Sequence, residues 1–180
     1  MEIIRPTLVL NKTKCLQNIE LMAEKARRHK LTFRPHFKTH QSAEVGNWFR
    51  QFDVDKITVS SVSMANYFIQ NGWKDITIAI PFNILEIPYL NSFPSDCAIN
   101  LVVDSPTTAN LIGKNATRDL GVYIKISTGY ERSGIEYSAI QKIDELILSI
   151  TQFHHLKFMG FLTHSGHTYQ ASSKYEVQNI

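Results

Sequence analysis

The sequence predicts an α/β protein in which a parallel sheet is built from strands joined by helical crossovers. Its 180 residues are 43% apolar and 19% charged, which suits one hydrophobic core and is unlike a disordered chain. Short strand-like runs alternate with segments of helical spacing along the chain. No linker or repeat divides it, and the connections are too short to contain further domains. A doubly wound sheet and a barrel both remain open at this point.

Six strands are predicted from short apolar or alternating runs bounded by polar and turn residues. They are residues 31–37, 57–61, 76–81, 99–103, 122–126 and 158–163. A complete barrel of eight strand–helix units usually takes about 250 residues. Six units in 180 residues would therefore make an incomplete barrel.

Helices are predicted between these strands wherever apolar residues recur three and four apart. The apolar positions are Cys15, Ile19, Met22 and Ala26; Val45, Trp48, Phe49 and Phe52; Met64, Tyr67 and Phe68; and Ile140, Ile143, Ile147 and Ile150. The first helix starts at Asn11 and ends in a basic stretch, residues 25–30, which suits the negative end of the helix dipole.

Local signals mark several helix ends. Asn71-Gly72 closes one helix, a broken helix follows Asn83, and Ser105-Pro106 provides a cap followed by proline at the first helical position. Gly113 stands where that last helix is expected to stop.

Charge and cysteine content exclude several classes of function. A formal charge of +3 is too small and scattered to indicate nucleic-acid binding, although it suits an anionic small ligand. Cys15 and Cys97 are far apart, so neither a disulfide framework nor a cysteine zinc site is predicted. Residues 1–9 lack the features of a signal peptide, and no later run could span a bilayer. We therefore expect a soluble cytoplasmic protein with no nucleic-acid or membrane partner.

The segment RPHFKTH, residues 34–40, places Lys38 where the first predicted strand ends. Active sites of parallel α/β folds lie at this end of the strands. A lone lysine here is most often only a solvated charge. Two imidazoles four apart, His36 and His40, face one side only in a helix, so zinc binding by this pair is disfavoured.

Two more polar segments follow the fifth and sixth predicted strands. In TGYERSG, residues 128–134, two glycines permit unusual backbone angles, and Arg132 could hold an oxyanion unless it simply faces water. In THSGHTY, residues 163–169, hydroxyls, imidazoles and small residues could surround a phosphate or an aromatic ring. His164 and His167 could also bind a metal, but no further ligand is in view.

The RPHFKTH segment resembles the lysine motif of the D-serine dehydratase and D-threonine aldolase family, which are fold-type III pyridoxal 5'-phosphate enzymes. TGYERSG is similar to a segment of the related alanine racemases, and FLTHSGHTY to a segment found in both groups. The order and spacing also match over nearly the whole chain. The resemblance implies a (β/α)8, TIM-barrel-like fold of the alanine racemase N-terminal type, incomplete here with about six units.

The resemblance also implies roles for individual residues. Lys38 would form the Schiff base with the cofactor, Arg132 would lie near its phenolic oxygen, and His164 would sit against the pyridine ring. Tyr169 would help to bind the phosphate. The expected activity is that of a lyase on a D-hydroxy amino acid, such as D-serine or D-threonine, with a possible homodimer as the assembly.

Family members complete the barrel and add a C-terminal β domain, which in the dehydratase and aldolase branch brings the ligands of a zinc-like divalent metal. Residues 1–180 are therefore expected to be a partial barrel domain, with no metal ligand assigned among them. Four alternatives stay open: a D-threonine aldolase, an amino-acid racemase, a non-catalytic cofactor-binding protein, and a truncated remnant.

Overall fold

The structure is a computed structural model that describes residue 4, residue 7 and residues 9–180. Its strands are β1 (Lys56–Val59), β2 (Asp75–Pro81), β3 (Ala98–Val103), β4 (Leu120–Ser127), β5 (Ile135–Glu136) and β6 (Leu156–Thr163). Its α-helices are α1 (Lys12–Arg28), α2 (Ala43–Arg50), α3 (Val62–Gln70), α4 (Ile87–Asn91), α5 (Pro106–Asn115), α6 (Ile140–Thr151) and α7 (Lys174–Gln178). Short 3₁₀ turns lie at Phe37–Thr39, Ile84–Glu86 and Gly166–Gln170. The alternation of strands and helices is as predicted.

The sheet is parallel throughout the described residues. Its order is β1-β2-β3-β4, and β4 then pairs with β6 along its length and with the two-residue β5 at its end. The β4–β6 pairing runs from Leu120 beside Leu156 to Ile126 beside Thr163. The two strands therefore end at the same level, and the loops that follow them start side by side.

Helices cover one face of this sheet. Alternate strand residues on that face, such as Ile76, Ile99 and Val122, belong to a continuous apolar core that includes residues from α3, α5 and α6. The buried polar residues lie at the intervening strand positions, on the other face: Thr58, Thr77, Asn100 and Lys125. One helical layer outside and a polar, buried face inside favour a curled barrel-type sheet over a doubly wound one, which has helices on both faces.

Most predicted helix ends are confirmed. The side chains of Asn11 and Ser105 each accept a hydrogen bond from the amide three residues on, as N-caps do. Ser61, predicted as the last residue of a strand, caps α3 in the same way. Pro106 occupies the first helical turn of α5. Gly72 follows the end of α3 with φ +81°, a conformation that glycine adopts at little cost.

The first predicted strand, residues 31–37, is wrong as a strand. The segment runs beside β1 but makes only one isolated bridge, His36 to Thr58, with Pro35 accepting the Thr58 amide at 2.8 Å. Pro35 has no amide hydrogen of its own, so it cannot contribute a donor to a ladder. The segment lies beside the edge strand β1.

Two details of the predicted helices are also wrong. Gly113 does not end α5, which continues to Asn115. A Cβ at Gly113 would lie 2.3 Å from the ring of Phe153, so this glycine permits close packing beneath the residues that follow α6. Met22 is exposed, and Ala23 takes its place on the buried stripe with Ile19 because positions four apart share a face.

No helix in the described part of the chain is long and apolar enough to cross a membrane. The expectation that residues 1–9 lack a signal peptide falls largely outside the described residues.

Candidate functional site

The three polar segments lie at the carboxyl ends of the parallel strands. Lys38 follows the segment beside β1, Arg132 lies in the loop after β4, and His164 follows β6. The first and last of these segments are at opposite ends of the strand order. Even so, the pKa of His164 is lowered, first by burial and then by the charges of Arg132, Lys125 and Lys38. Arg132 and His164 line the same pocket, and the curl of the sheet brings the end with Lys38 towards them.

The lysine turn is anchored by a buried aromatic residue. Phe37 is fully buried, and its ring centroid lies 5.0 Å from that of Phe68 and 5.1 Å from that of Trp73, both edge to face. Gly46 allows this packing, because a Cβ there would lie 3.0 Å from the Phe37 ring. Lys38 and Thr39 are exposed. Burial of Phe37 thus fixes the turn and leaves Lys38 at the surface of the site.

The loop after β4 has the unusual backbone that its glycines predict. Gly129, Glu131 and Gly134 have φ values of +104°, +52° and +110°. A Cβ at Gly134 would lie 2.8 Å from the Cγ atom of Lys125, and the φ angle there is positive. Crowding and backbone strain therefore both exclude other residues at this position. The Arg132 guanidinium lies 5.7 Å from the centre of the Tyr130 ring.

Lys125 also lies at the site, although it is in none of the three polar segments. Its side chain faces the inside of the curled sheet and is only 4% exposed. Burial, followed by the nearby charge of Arg132, lowers the pKa of Lys125. Together with Thr128, Tyr130, Arg132 and His164 it lines a small pocket. A lysine inside an apolar strand was a signal that could have identified it.

The segment after β6 gathers aromatic rings around His164. The His164 ring lies 5.4 Å from that of Tyr130 and 5.8 Å from that of Tyr169, the latter nearly perpendicular at 86°. Gly166 fits between neighbours, because a Cβ there would lie 2.7 Å from Tyr130. Tyr169 itself is 79% exposed. Its ring is therefore near His164, but its hydroxyl is not enclosed by the described residues.

Cationic side chains predominate at the site, although Glu131 also lines its small pocket. In the part of the chain that the structure describes, no ion pair joins Lys38, Lys125 or Arg132 to an acidic side chain. The Nδ1 atoms of His164 and His167 are buried without a hydrogen-bond partner. Unpaired cations and unsatisfied imidazole nitrogens are what an anionic ligand would satisfy.

No group of three or more histidine, cysteine or acidic side chains arranged to hold a metal occurs among the described residues. A larger cleft lies at the opposite, amino-terminal end of the strands, where Asn100, Arg118 and His155 line it. It contains none of the three polar segments.

Comparison with known families decides the fold type. The profile of the alanine racemase N-terminal domain matches residues 10–179. The chain belongs to this family. The incomplete barrel fold implied by the resemblance is thereby confirmed.

Named relatives of this alanine racemase-family chain come from the dehydratase branch. The D-serine dehydratase of Dictyostelium discoideum is 28% identical over 88% of this chain and 44% of its own length. The D-threo-3-hydroxyaspartate dehydratase of Delftia sp. strain HT23 is 28% identical over 97% of this chain and 47% of its own length. The chain thus spans less than half the length of these relatives.

Solved structures share the fold. That of the Delftia sp. HT23 dehydratase aligns with a TM-score of 0.88 at 23% identity, covering 98% of this chain and 48% of the other. The D-threonine aldolase of Filomicrobium marinum aligns with a TM-score of 0.80 at 20% identity, covering 87% and 43%.

Proposed function

We propose that this chain forms the pyridoxal 5'-phosphate-binding part of a lyase that removes water from a D-hydroxy amino acid, such as D-serine or D-threo-3-hydroxyaspartate. The observation that carries the proposal is the position of Lys38, Arg132 and His164 at the carboxyl ends of the parallel strands, with Arg132 and His164 lining one pocket. Membership of the alanine racemase N-terminal family and the two dehydratase relatives support it.

The residues present fit this cofactor. Its phosphate and phenolic oxygen carry negative charge, and the site offers Lys38, Lys125 and Arg132 without acidic partners among the described residues. The buried Nδ1 atoms of His164 and His167 would gain partners from a polar ligand. When bound, the cofactor supplies an electron sink for the bond broken at the α carbon.

Lys38 has two roles in the proposal, and each of the other residues has one. Lys38 would hold the cofactor covalently, and Arg132 would donate to its phenolic oxygen. His164 packs against the pyridine ring, and its lowered pKa keeps the imidazole neutral there. Tyr169 assists in phosphate binding. Once the amine of the substrate takes its place on the cofactor, the freed Lys38 Nζ would accept the α proton, and that proton would leave with the β hydroxyl as water.

In this proposal residues 1–180 make up part of the barrel domain. The active enzyme includes the rest of the barrel and the C-terminal β domain typical of the family, which would supply the ligands of any divalent metal. A homodimer is the proposed assembly.

The test is to incubate the chain with pyridoxal phosphate, reduce with borohydride and locate the modified lysine by peptide mapping. We expect a stable adduct on Lys38 in the wild type and in Lys142→Arg, an exposed position on α6 outside the site, and none at residue 38 in Lys38→Arg. Equal labelling of wild type and Lys38→Arg would refute the proposal.

The reaction itself is tested on the whole enzyme with D-serine, D-threonine and D-threo-3-hydroxyaspartate. Ammonia and a keto acid are the expected products. Release of glycine and an aldehyde would instead identify the enzyme as an aldolase, and interconversion of enantiomers would identify it as a racemase. An adduct without any turnover would indicate a non-catalytic cofactor-binding protein.

A further inference from the structure

His36 lies immediately before the turn that carries Lys38. It bridges to Thr58 of β1 and has extended backbone angles, φ −91° and ψ +113°. The 3₁₀ turn Phe37–Thr39 starts directly after it. The position is that of an N-cap, where a side chain with an acceptor usually satisfies an amide of the first turn.

The imidazole of His36 supplies that acceptor. Its Nδ1 atom accepts a hydrogen bond from the Lys38 amide at 3.3 Å. His40 repeats the arrangement at the next element, because its Nδ1 atom accepts from the Ser42 amide at 3.1 Å. Both histidines of the motif therefore act as Asx-like turn residues rather than as a metal-binding pair.

Only His36 acts on the lysine itself. His40 is directed into the aromatic cluster, with its ring centroid 4.6 Å from that of Phe37 and 6.0 Å from that of Phe49. His36 by contrast holds the peptide group of Lys38, while the side chain of Phe37 is fixed in the core. The backbone that leads into Lys38 is thus held in place.

The contact requires an unprotonated Nδ1, since a nitrogen that carries a proton cannot accept one. The pKa of His36 is lowered to about 4, first by burial and then by the charge of Lys38, with the Thr58 backbone acting in the opposite direction. Within the described part of the chain, Lys38 is the charged side chain whose field acts on His36. The imidazole is consequently neutral near pH 7 and available as an acceptor.

We propose that His36 is a positioning residue for Lys38: its neutral imidazole accepts the Lys38 amide and fixes the turn from which the lysine side chain reaches the site. The benefit to catalysis rests on the proposed function, since it assumes that Lys38 holds the cofactor. The fixing of the turn does not, and it is measured without cofactor.

The experiment uses three variants of the full chain. His36→Leu replaces the imidazole with a side chain of similar bulk that has no hydrogen-bond acceptor. His36→Asn, by contrast, can accept from the same amide through its side-chain oxygen. His29→Leu, at an exposed histidine after α1, is the control. Protection of the Lys38 amide against hydrogen exchange and the rate of borohydride-trapped adduct formation at Lys38 are measured in each.

We expect His36→Leu to lose about tenfold in Lys38 amide protection, the effect of one hydrogen bond, and a similar factor in adduct rate. His36→Asn and His29→Leu should stay within about threefold of wild type, since the first keeps the acceptor and the second never contacts the turn. Nitrogen chemical shifts of His36 should report a neutral ring protonated at Nε2.

The pH profile separates this role from general destabilisation. Lys38 amide protection in the wild type should fall as the pH drops through about 4, because the imidazole then gains a proton at Nδ1. In His36→Asn that step should be absent. Unchanged protection in His36→Leu, or a His36 ring protonated at Nδ1 near pH 7, would overturn the inference.

The two proposals fail in different ways. If no adduct forms at Lys38 in any variant while the exchange pattern is as expected, the cofactor proposal fails and the positioning of the turn stands. If His36→Leu does not fold, His36→Asn, the ring nitrogen shifts and the wild-type pH profile still decide.

Discussion

Replacing Asp75 with alanine should cost more stability than the loss of a surface charge. Asp75 Oδ1 accepts from Arg34 Nη1 at 2.6 Å and Oδ2 from Lys56 Nζ at 2.7 Å, on the inner face of the sheet. Its side chain is 22% exposed, against 20% for Arg34 and 35% for Lys56. The substitution leaves two cations with partly buried donors and no carboxylate between them.

The magnitude follows from these contacts. A hydrogen bond to a charged group contributes about 1.5–3 kcal/mol, and removing one member of a buried pair costs about 3–5 kcal/mol. Water reaches part of both cations, which reduces the loss. We therefore expect Asp75→Ala to lower the free energy of unfolding by about 2–4 kcal/mol, and Asp75→Asn by less because its side-chain oxygen still accepts.

Urea unfolding followed by the fluorescence of the buried Trp48 and Trp73 measures this difference. The matched control is Asp96→Ala, whose partner Lys74 is 65% exposed while Asp96 is 57% exposed. That control should be indistinguishable from wild type. Equal losses in Asp75→Ala and Asp96→Ala would show that the inner-face ion pairs have no special weight.

The ion pairs of Asp75 also predict that the stability of the chain depends on pH. Burial raises the pKa of Asp75, but the hydrogen bonds from Arg34 and Lys56 outweigh it, so the pKa in the folded chain is lowered. Its contribution to stability is then fully present above the unfolded pKa of about 4 and is lost as the pH falls through the folded value. The difference between wild type and Asp75→Asn should be constant at neutral pH and shrink in acid.

Three further outcomes are expected. Gly113→Ala should destabilise the chain by about 1–2 kcal/mol in urea unfolding, since overpacking against Phe153 exceeds the gain in helix propensity; the loss should largely disappear when Phe153→Leu is added. Phe37→Ala, which empties the centre of an aromatic cluster, should cost about 3–5 kcal/mol and lower the melting temperature. Cys97 should react with a disulfide reagent more slowly than the less buried Cys15, because burial raises the pKa of the Cys97 thiol, and in urea the two rates should converge.

Much of the fold could be predicted because its signals are local. Asn11, Ser105 and Gly72 mark helix ends through hydrogen bonds and backbone angles that involve only their own neighbourhood. Gly113 was misread because a glycine inside a helix looks the same in sequence whether it ends the helix or admits a ring. The answer depended on Phe153, forty residues away.

The site was predictable to the same degree. The three segments that contain Lys38, Arg132 and His164 were recognised, while their residue roles remain predictions. Lys125 was missed because a residue's strand position does not reveal whether it faces helices or the inside of a curled sheet. The role of His36 depends on a single contact to the Lys38 amide, which no spacing rule predicts.

The edge-to-face contact between Phe37 and Trp73 has a practical consequence. An indole fixed beside the residue that precedes Lys38 is a built-in energy donor for any chromophore attached to that lysine. Resonance transfer falls so steeply with distance that a label on a remote surface lysine would quench Trp73 far less. In a Trp48→Phe background, which removes the second tryptophan, dimming of Trp73 would therefore follow occupation of the lysine in real time without a coupled assay.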